Sequence, residues 1–257
     1  VEYPGYTLLI DPIYSERASP VTFVGPRRYH DPGIPFEDLP RIDAVLISHN
    51  HYDHLDIPTL ERIARAHRPV FLAGLGNADT LRAGGIALSR CQIKEMDWWD
   101  EHILGDAIRV VMSPAHHWSM RMPHDVNRSL WGGYWIEPLE RRSPSVYFSG
   151  DTGVGPQFRQ VRSRLGRPDV SILPIGSFLP RWFMKEQHID PDEAVQGMLE
   201  LESRFAIGVH FWTFRLSDEA HDEPRRALGL ALRKYSVKES RFKVPLPGQF
   251  FTFKGRQ

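Results

Sequence analysis

The sequence predicts an α/β protein in which two β-sheets are covered by outer helices. Three observations predict it. Short runs rich in β-branched and aromatic residues recur along the chain, the pattern of strands in a buried sheet. Stretches of helical period stand between some of those runs. The 21 prolines and 20 glycines are scattered as punctuation, with no repeat or low-complexity tract, so one domain over residues 1–257 is expected.

Val1 to Gly5 reads as the end of a strand running into a turn, which leaves room for residues upstream. The strand Tyr6 to Ile10 follows, then Asp43 to Ser48. Pro58 to His67 has helical spacing, and Asp56 stands where a cap is needed. Next come a strand at Val70 to Ala73, a short helix around Ala78 to Ala83, and strands at Ile108 to Ser113, Leu130 to Ile136 and Ser145 to Ser149. A helix around Phe158 to Leu165 precedes a strand at Val170 to Leu173. The helix Pro191 to Glu202 has the clearest start: Asp190 can cap it, Pro191 suits its first position, and Glu193 completes a capping box. A strand at Phe205 to His210, a helix near Arg225 to Tyr235 and a strand at Phe250 to Phe253 complete the series.

Composition narrows the function classes. Hydrophobic residues make up 41% and charged residues 25%, values of an ordinary folded globule, which excludes disorder, collagen and coiled coil. Lys plus Arg and Asp plus Glu number 32 each, so the chain as a whole offers no field for nucleic acid. Basic pairs at Arg27 and Arg28, Arg141 and Arg142, and Arg225 and Arg226 are dispersed rather than aligned in a stripe, so no nucleic-acid partner is expected. No run approaches the ~18 apolar residues of a membrane span, and no signal-peptide pattern is visible. The expected location is cytoplasmic or peripheral to a membrane. Cys91 is the single cysteine, which excludes an intrachain disulfide or a thiolate-rich zinc site. Metal binding would rest on imidazole and carboxylate, and there are 12 histidines, several beside Asp.

The most informative segment is Val45-Leu46-Ile47-Ser48-His49-Asn50-His51-Tyr52-Asp53-His54-Leu55-Asp56, where an apolar strand runs into three His and two Asp within eight residues. If the backbone stays extended past Ser48, His49 and His51 share a face, because alternate strand residues do. A turn at Tyr52 then brings Asp53 and His54 in from another side. Such an array places two imidazoles on one ion and a carboxylate plus an imidazole on a second. These donors suit Zn, Fe and Mn, with Zn the default where His dominates. Two neighbouring ions need more ligands than this segment supplies. Later strand ends offer them: Pro114-Ala115-His116-His117-Trp118, Gly150-Asp151-Thr152-Gly153 and His210.

A strand followed by this His-x-His-x-Asp-His pattern, with later strand-end His, Asp and His, resembles the metallo-β-lactamase superfamily. The resemblance implies a four-layer αββα sandwich with a dinuclear metal site at one edge, two Zn2+ ions with Fe or Mn as alternatives. Carried across by position, His49, His51 and His117 would hold one metal, Asp53, His54 and His210 the other, and Asp151 would bridge. The ligand falls to His117 because the family places it beside Trp, with His116 as the alternative. Pro174-Ile175-Gly176, Pro180-Arg181-Trp182-Phe183-Met184-Lys185, His188-Ile189-Asp190-Pro191 and, upstream, Asp11-Pro12-Ile13, Ser15, Arg17-Ala18-Ser19-Pro20 and Gly25-Pro26 are similar to the N-acyl-phosphatidylethanolamine-hydrolysing phospholipase D branch. Phe211-Trp212-Thr213-Phe214 departs from the small residue expected after the last metal His.

That resemblance implies a dinuclear zinc phosphodiesterase acting on a glycerophospholipid, releasing an N-acylethanolamine and phosphatidic acid, with peripheral membrane contact. Asp53 or Asp151 would orient the attacking hydroxide, and His188 would donate to the phosphate. Arg181 and Lys185 would attract an anionic head group, and Trp182 and Phe183 would border an apolar groove. The alternatives are a soluble metal-dependent lactonase or phosphoester hydrolase, and a noncatalytic metal-binding protein. A run such as Trp182-Phe183-Met184 is more often core than groove, and Trp98, Trp99, Trp131 and Trp135 carry the same double reading, with core expected for most of them.

Overall fold

A computed structural model describes residues 1–84, 91–140 and 143–255 of the chain. In chain order the elements are β1 (Glu2–Tyr3), β2 (Tyr6–Ile10), β3 (Ala44–Ile47), α1 (Ile57–His67), β4 (Val70–Gly74), α2 (Ala78–Ala83) and β5 (Ile93–Met96). They continue with β6 (Glu101–Leu104), β7 (Ile108–Ser113), β8 (Gly133–Pro138), β9 (Val146–Phe148), α3 (Gln157–Leu165), β10 (Val170–Pro174) and α4 (Arg181–Met184). The last are α5 (Pro191–Glu200), β11 (Phe205–Val209), α6 (Glu223–Lys234) and β12 (Phe242–Lys243).

Two sheets form, with strand orders β1-β2-β3-β4-β5 and β12-β11-β10-β9-β8-β7-β6. Beyond the antiparallel β1–β2 pair the first sheet is parallel, whereas the second is antiparallel from β6 to β9 and parallel from β9 to β12. Strand alternation sorts the side chains into three cores. Leu46, Leu72, Val110, Met112, Tyr134, Ile136, Val146 and Phe148 meet between the sheets. Val45, Ile47, Phe71 and Ala73 face the other way, against Leu60, Ile63 and Leu81 of α1 and α2. Val111, Trp135 and Tyr147 face Phe158, Val161, Val195, Met198, Leu228 and Leu232 of α3, α5 and α6. The result is helices, sheet, sheet, helices, the four-layer sandwich. The central strands read as unbroken apolar runs because both faces of each sheet are covered.

The capping box of α5 forms: Glu193 N donates to Asp190 Oδ1 at 2.9 Å, and Asp190 N donates to Glu193 Oε2 at 2.8 Å. Asp56 occupies the N-cap of α1 but bonds elsewhere. Its carboxylate accepts from Ser15 N at 3.2 Å, Ser15 Oγ at 2.8 Å and the Thr59 hydroxyl, so it ties the β2–β3 connection to the helix instead of capping amides.

Other expectations need correction. Phe250 to Phe253 is not a strand, because Phe242–Lys243 takes the open edge of β11. The later segment packs through its rings, with Phe253 5.1 Å from Phe205. Edge strands β5 and β6 carry Lys94, Glu95 and Glu101, the charges that blunt sheet edges and hide the alternation. Trp135 is core, but Trp98, Trp99 and Trp131 are only partly buried, and Trp182 and Phe183 on α4 are 80% and 65% exposed. Arg141 and Arg142 lie outside the described residues. No described helix is long and apolar enough to cross a membrane.

Candidate metal centre

Parallel strands β2, β3, β9 and β11 all end at one edge of the sandwich, and each passes directly into polar residues there: Asp11, Ser48 to His54, Asp151 and His210. The antiparallel β7 ends at the same place and leads to His117. Loops beyond the carboxyl ends of parallel strands are where side chains of distant sequence position can converge on a ligand. Gly150 sits at φ +63°, and a Cβ there would meet Gly132 O at 2.7 Å, so glycine is needed for the turn into Asp151.

Two groups of ligand atoms assemble. His49, His51 and His117 form one, and Asp53, His54, Asp151 and His210 the other, the ligand atoms of each lying within 4.8 Å of one another. His51 Nδ1 is 2.9 Å from His49 Nε2 and 3.3 Å from His117 Nε2. Asp151 Oδ2 stands between the groups, 3.2 Å from Nε2 of both His54 and His210 and 4.0 Å from Nε2 of His117. Asp53 Oδ2 lies 3.1 Å from the same nitrogens of His54 and His210. His188 Nδ1 lies 3.7 Å from Asp151 Oδ2.

Partners outside the cluster fix which nitrogens carry protons. His117 Nδ1 faces the carbonyl of Gln187 at 2.9 Å, and a carbonyl can only accept, so that nitrogen is the donor. His54 Nδ1 donates likewise to Asp11 Oδ2 at 2.8 Å. Ser48 donates its hydroxyl proton to Asp11 at 2.5 Å and accepts from His49 Nδ1 at 2.9 Å. In the neutral rings, Nε2 of His49, His54 and His117 therefore presents a lone pair to the interior. Lone pairs and carboxylates facing one another with few protons between them are the electrostatic signature of a cation site. His51 Nε2, His188 Nδ1 and His210 Nδ1 are also buried without a hydrogen-bond partner among the described residues. The donor set, imidazole and carboxylate, fits Zn2+ or a similar divalent ion.

The titration behaviour agrees. Burial, reinforced by His54, His51 and His117, holds His49 well below the ordinary imidazole range. Burial lowers His51 to about 4 and His188 to about 4, and pushes His117 well down. Burial opposes charge on His54 as well, yet Asp53 and Asp151 overcome it and hold that ring well above its usual pKa. His210 is raised against burial by Asp151 and Asp53. Burial would raise Asp53 and Asp151, but charge and hydrogen bonding from His54 and His210 keep both well below the usual carboxylate range.

Of the residues singled out in the sequence, the structure brings together His49, His51, Asp53, His54, His117, Asp151, His188 and His210. His116 turns outward and faces the Val154 carbonyl at 2.9 Å. Arg181, expected to meet an anionic head group, is committed elsewhere: its Nη2 makes a bidentate pair with Glu193 at 2.9 and 2.8 Å, and its Nη1 donates to His188 O at 2.9 Å. Its geometry makes it a brace for the His188 segment. Lys185 is exposed, 3.8 Å from Glu186. Asp11 was legible only as part of a motif, and nothing in the sequence marked it as the partner of Ser48 and His54. Gln187 acts through its backbone, which leaves no residue-type signal.

A cavity of about 410 Å3 opens on Asp11, Asp53, His54, Asp151 and His210 and is otherwise lined mainly by apolar groups such as Leu9, Ile10, Ile172 and Phe214. It shares Leu9, Ile10, Ile13 and Ile172 with a larger cleft of about 1040 Å3 that reaches Phe251 and Phe253.

The beta-lactamase superfamily domain matches residues 6–211 of the chain. An uncharacterized protein of Mycobacterium tuberculosis is 38% identical over 253 residues, covering 97% of this chain and 64% of that protein. The N-acyl-phosphatidylethanolamine-hydrolyzing phospholipase D 1 of Caenorhabditis elegans is 35% identical over 235 residues, covering 89% of this chain and 65% of that enzyme. The chain thus spans slightly less than two thirds of the length of these relatives. Among solved structures, an isothiocyanate hydrolase from Delia radicum gut bacteria superposes with a TM-score of 0.74 at 19% identity, over 99% of this chain and 95% of that one.

Proposed function

The chain belongs to the beta-lactamase superfamily, and on that footing we propose that it is a dinuclear metal-dependent phosphodiesterase of the phospholipase D type. Its substrate is a glycerophospholipid, N-acyl-phosphatidylethanolamine, which it converts to an N-acylethanolamine and phosphatidic acid. The observation that carries this reading is the convergence of the two ligand groups on Asp151 at the mouth of an apolar cavity. Such a mouth offers a phosphate the polar cluster and an acyl chain the apolar wall. Similarity to the nematode phospholipase D supports the choice of substrate.

His49, His51 and His117 would hold one ion and Asp53, His54 and His210 the second, with Asp151 shared. Divalent ions in such a site lower the pKa of water toward ~7 and offset charge on a phosphoryl oxygen. The protein's own groups do the rest. Asp53 lines the cavity, and its carboxylate accepts the hydrogen bond that orients the attacking water and takes up its proton as the new P–O bond forms. The bond to the ethanolamine oxygen breaks, and Asp53 passes the proton it took from the water to that oxygen, so the alcohol leaves neutral and the carboxylate is restored. His188, neutral because burial lowers it to about 4, donates to a phosphoryl oxygen. Arg181 and Glu193 hold the backbone that presents it. The apolar lining excludes competing water from the acyl side.

The test is metal content and turnover on one preparation. Zinc-loaded protein is expected to release N-acylethanolamine from N-acyl-phosphatidylethanolamine in mixed micelles, and His51→Ala to abolish it. Zinc-bound protein that hydrolyses only soluble bis-aryl phosphodiesters or lactones contradicts the lipid assignment.

A further inference from the structure

Arg121 stands in the loop that follows β7, four residues past His117. Its Nη1 donates to the carbonyls of both Asn50 and Leu55, each at 2.8 Å. Those carbonyls bracket the turn that carries His51, Asp53 and His54, and neither accepts a backbone amide among the described residues. The guanidinium also lies over the Tyr52 ring, 4.0 Å from its centroid, while Tyr52 Oη donates back to the Arg121 carbonyl at 3.1 Å. The contact is reciprocal, arginine to turn and turn to arginine.

The arginine side of this clasp is itself held. Asp125 Oδ1 accepts from the backbone amides of Arg121 at 2.8 Å and Met122 at 2.9 Å, and Asn127 Oδ1 accepts from Ser119 N at 3.2 Å. No described carboxylate oxygen lies within 4.0 Å of the guanidinium nitrogens, so the cation is spent on two neutral carbonyls and an aromatic face instead of an ion pair. A planar fork that also stacks suits this task, where an ammonium does not. A surface arginine with only a solvated role would not hold both ends of one turn 66 and 71 residues away in the chain.

We propose that Arg121 is a positioning residue that locks the His51–His54 turn onto the His117 loop, fixing the spacing between the two ligand groups. The inference rests on the dinuclear reading, because spacing matters only if both groups bind. Ligand-orienting partners outside the coordination sphere commonly change metal affinity 10- to 100-fold.

The experiment compares the full chain with Arg121→Met and Arg121→Lys. Two measurements are made: the rate of zinc transfer to a chromogenic chelator, and amide hydrogen exchange of the metal-free proteins. Arg121→Met is expected to release zinc at least about 10-fold faster and to speed exchange across residues 50–55, while exchange in β7 and β8 stays as in the unaltered chain. Arg121→Lys is expected to fall between, since it restores donors but not the flat stack on Tyr52. Unchanged zinc release with unchanged exchange at 50–55 would overturn the inference. So would faster exchange spread evenly over the whole fold, which marks a merely structural role. If the unaltered chain takes up no zinc, the dinuclear reading fails, and the exchange result alone decides whether Arg121 holds the turn.

Discussion

Asp11 Oδ2 lies 2.8 Å from Nδ1 of His54 and accepts its N–H hydrogen bond, while the same carboxylate accepts from the amide and hydroxyl of Ser48. One acidic side chain thereby orients an imidazole of each group, His54 directly and His49 through Ser48.

Replacing Asp11 with Asn removes the charge that favours the Nδ1-protonated form of His54. The expected outcome is zinc affinity weaker by about 10- to 100-fold, read by competition with a calibrated chelator. Affinity equal to that of the unaltered chain would show that His54 is oriented by something else.

His116 and His117 are adjacent, but only His117 joins the cluster. His117→Gln is therefore expected to lose about one metal equivalent per chain and most activity, and His116→Gln to retain both. Elemental analysis of the purified variants distinguishes them, and the reverse pattern contradicts the assignment.

Metal-free protein carries a pH signature. Burial lowers His51 and His188 to about 4 and pushes His49 and His117 well down. In the unfolded chain these rings titrate near 6.5. Between about pH 6.5 and 4 the unfolded chain binds protons that the folded chain does not, so stability falls as pH falls through that window. His54 and His210 contribute oppositely: their raised pKa values give stability present below about 6.5 and lost as pH rises through the folded values. Below about pH 5.5 they are protonated in both states and do not mask the acid effect. Thermal melts in chelator are expected to show Tm dropping from pH 6.5 toward 4.5, whereas a flat profile would contradict the burial of neutral imidazoles.

Tyr134 is fully buried on β8, and its hydroxyl donates to Ile47 O at 2.8 Å in the facing sheet. Tyr134→Phe is expected to lower stability by about 1 kcal/mol, measured by urea unfolding, with metal content unchanged. A loss near zero would mean that the inter-sheet bond contributes little.

Much of this was legible in the sequence, for physical reasons that differ between elements. Central strands such as β3 and β9 carry continuous apolar runs because they are covered on both faces. The candidate site stood out because imidazoles and carboxylates were packed directly after them. Edge strands β5 and β6 were illegible because the charges that protect an edge erase its alternation. Trp182 and Phe183 could be read as groove or as core, because residue type cannot report exposure on a four-residue helix. Arg181 read as a substrate contact because nothing in sequence reveals that Glu193, twelve residues on, claims its guanidinium. Arg121 carried no signal, since it acts on backbone carbonyls.

The most direct measurement is anomalous diffraction at the zinc edge from crystals grown with zinc. Two peaks about 3.5 to 4 Å apart are predicted, one among His49, His51 and His117 and one among Asp53, His54 and His210, with Asp151 touching both. A map with no peak between these side chains would contradict the account.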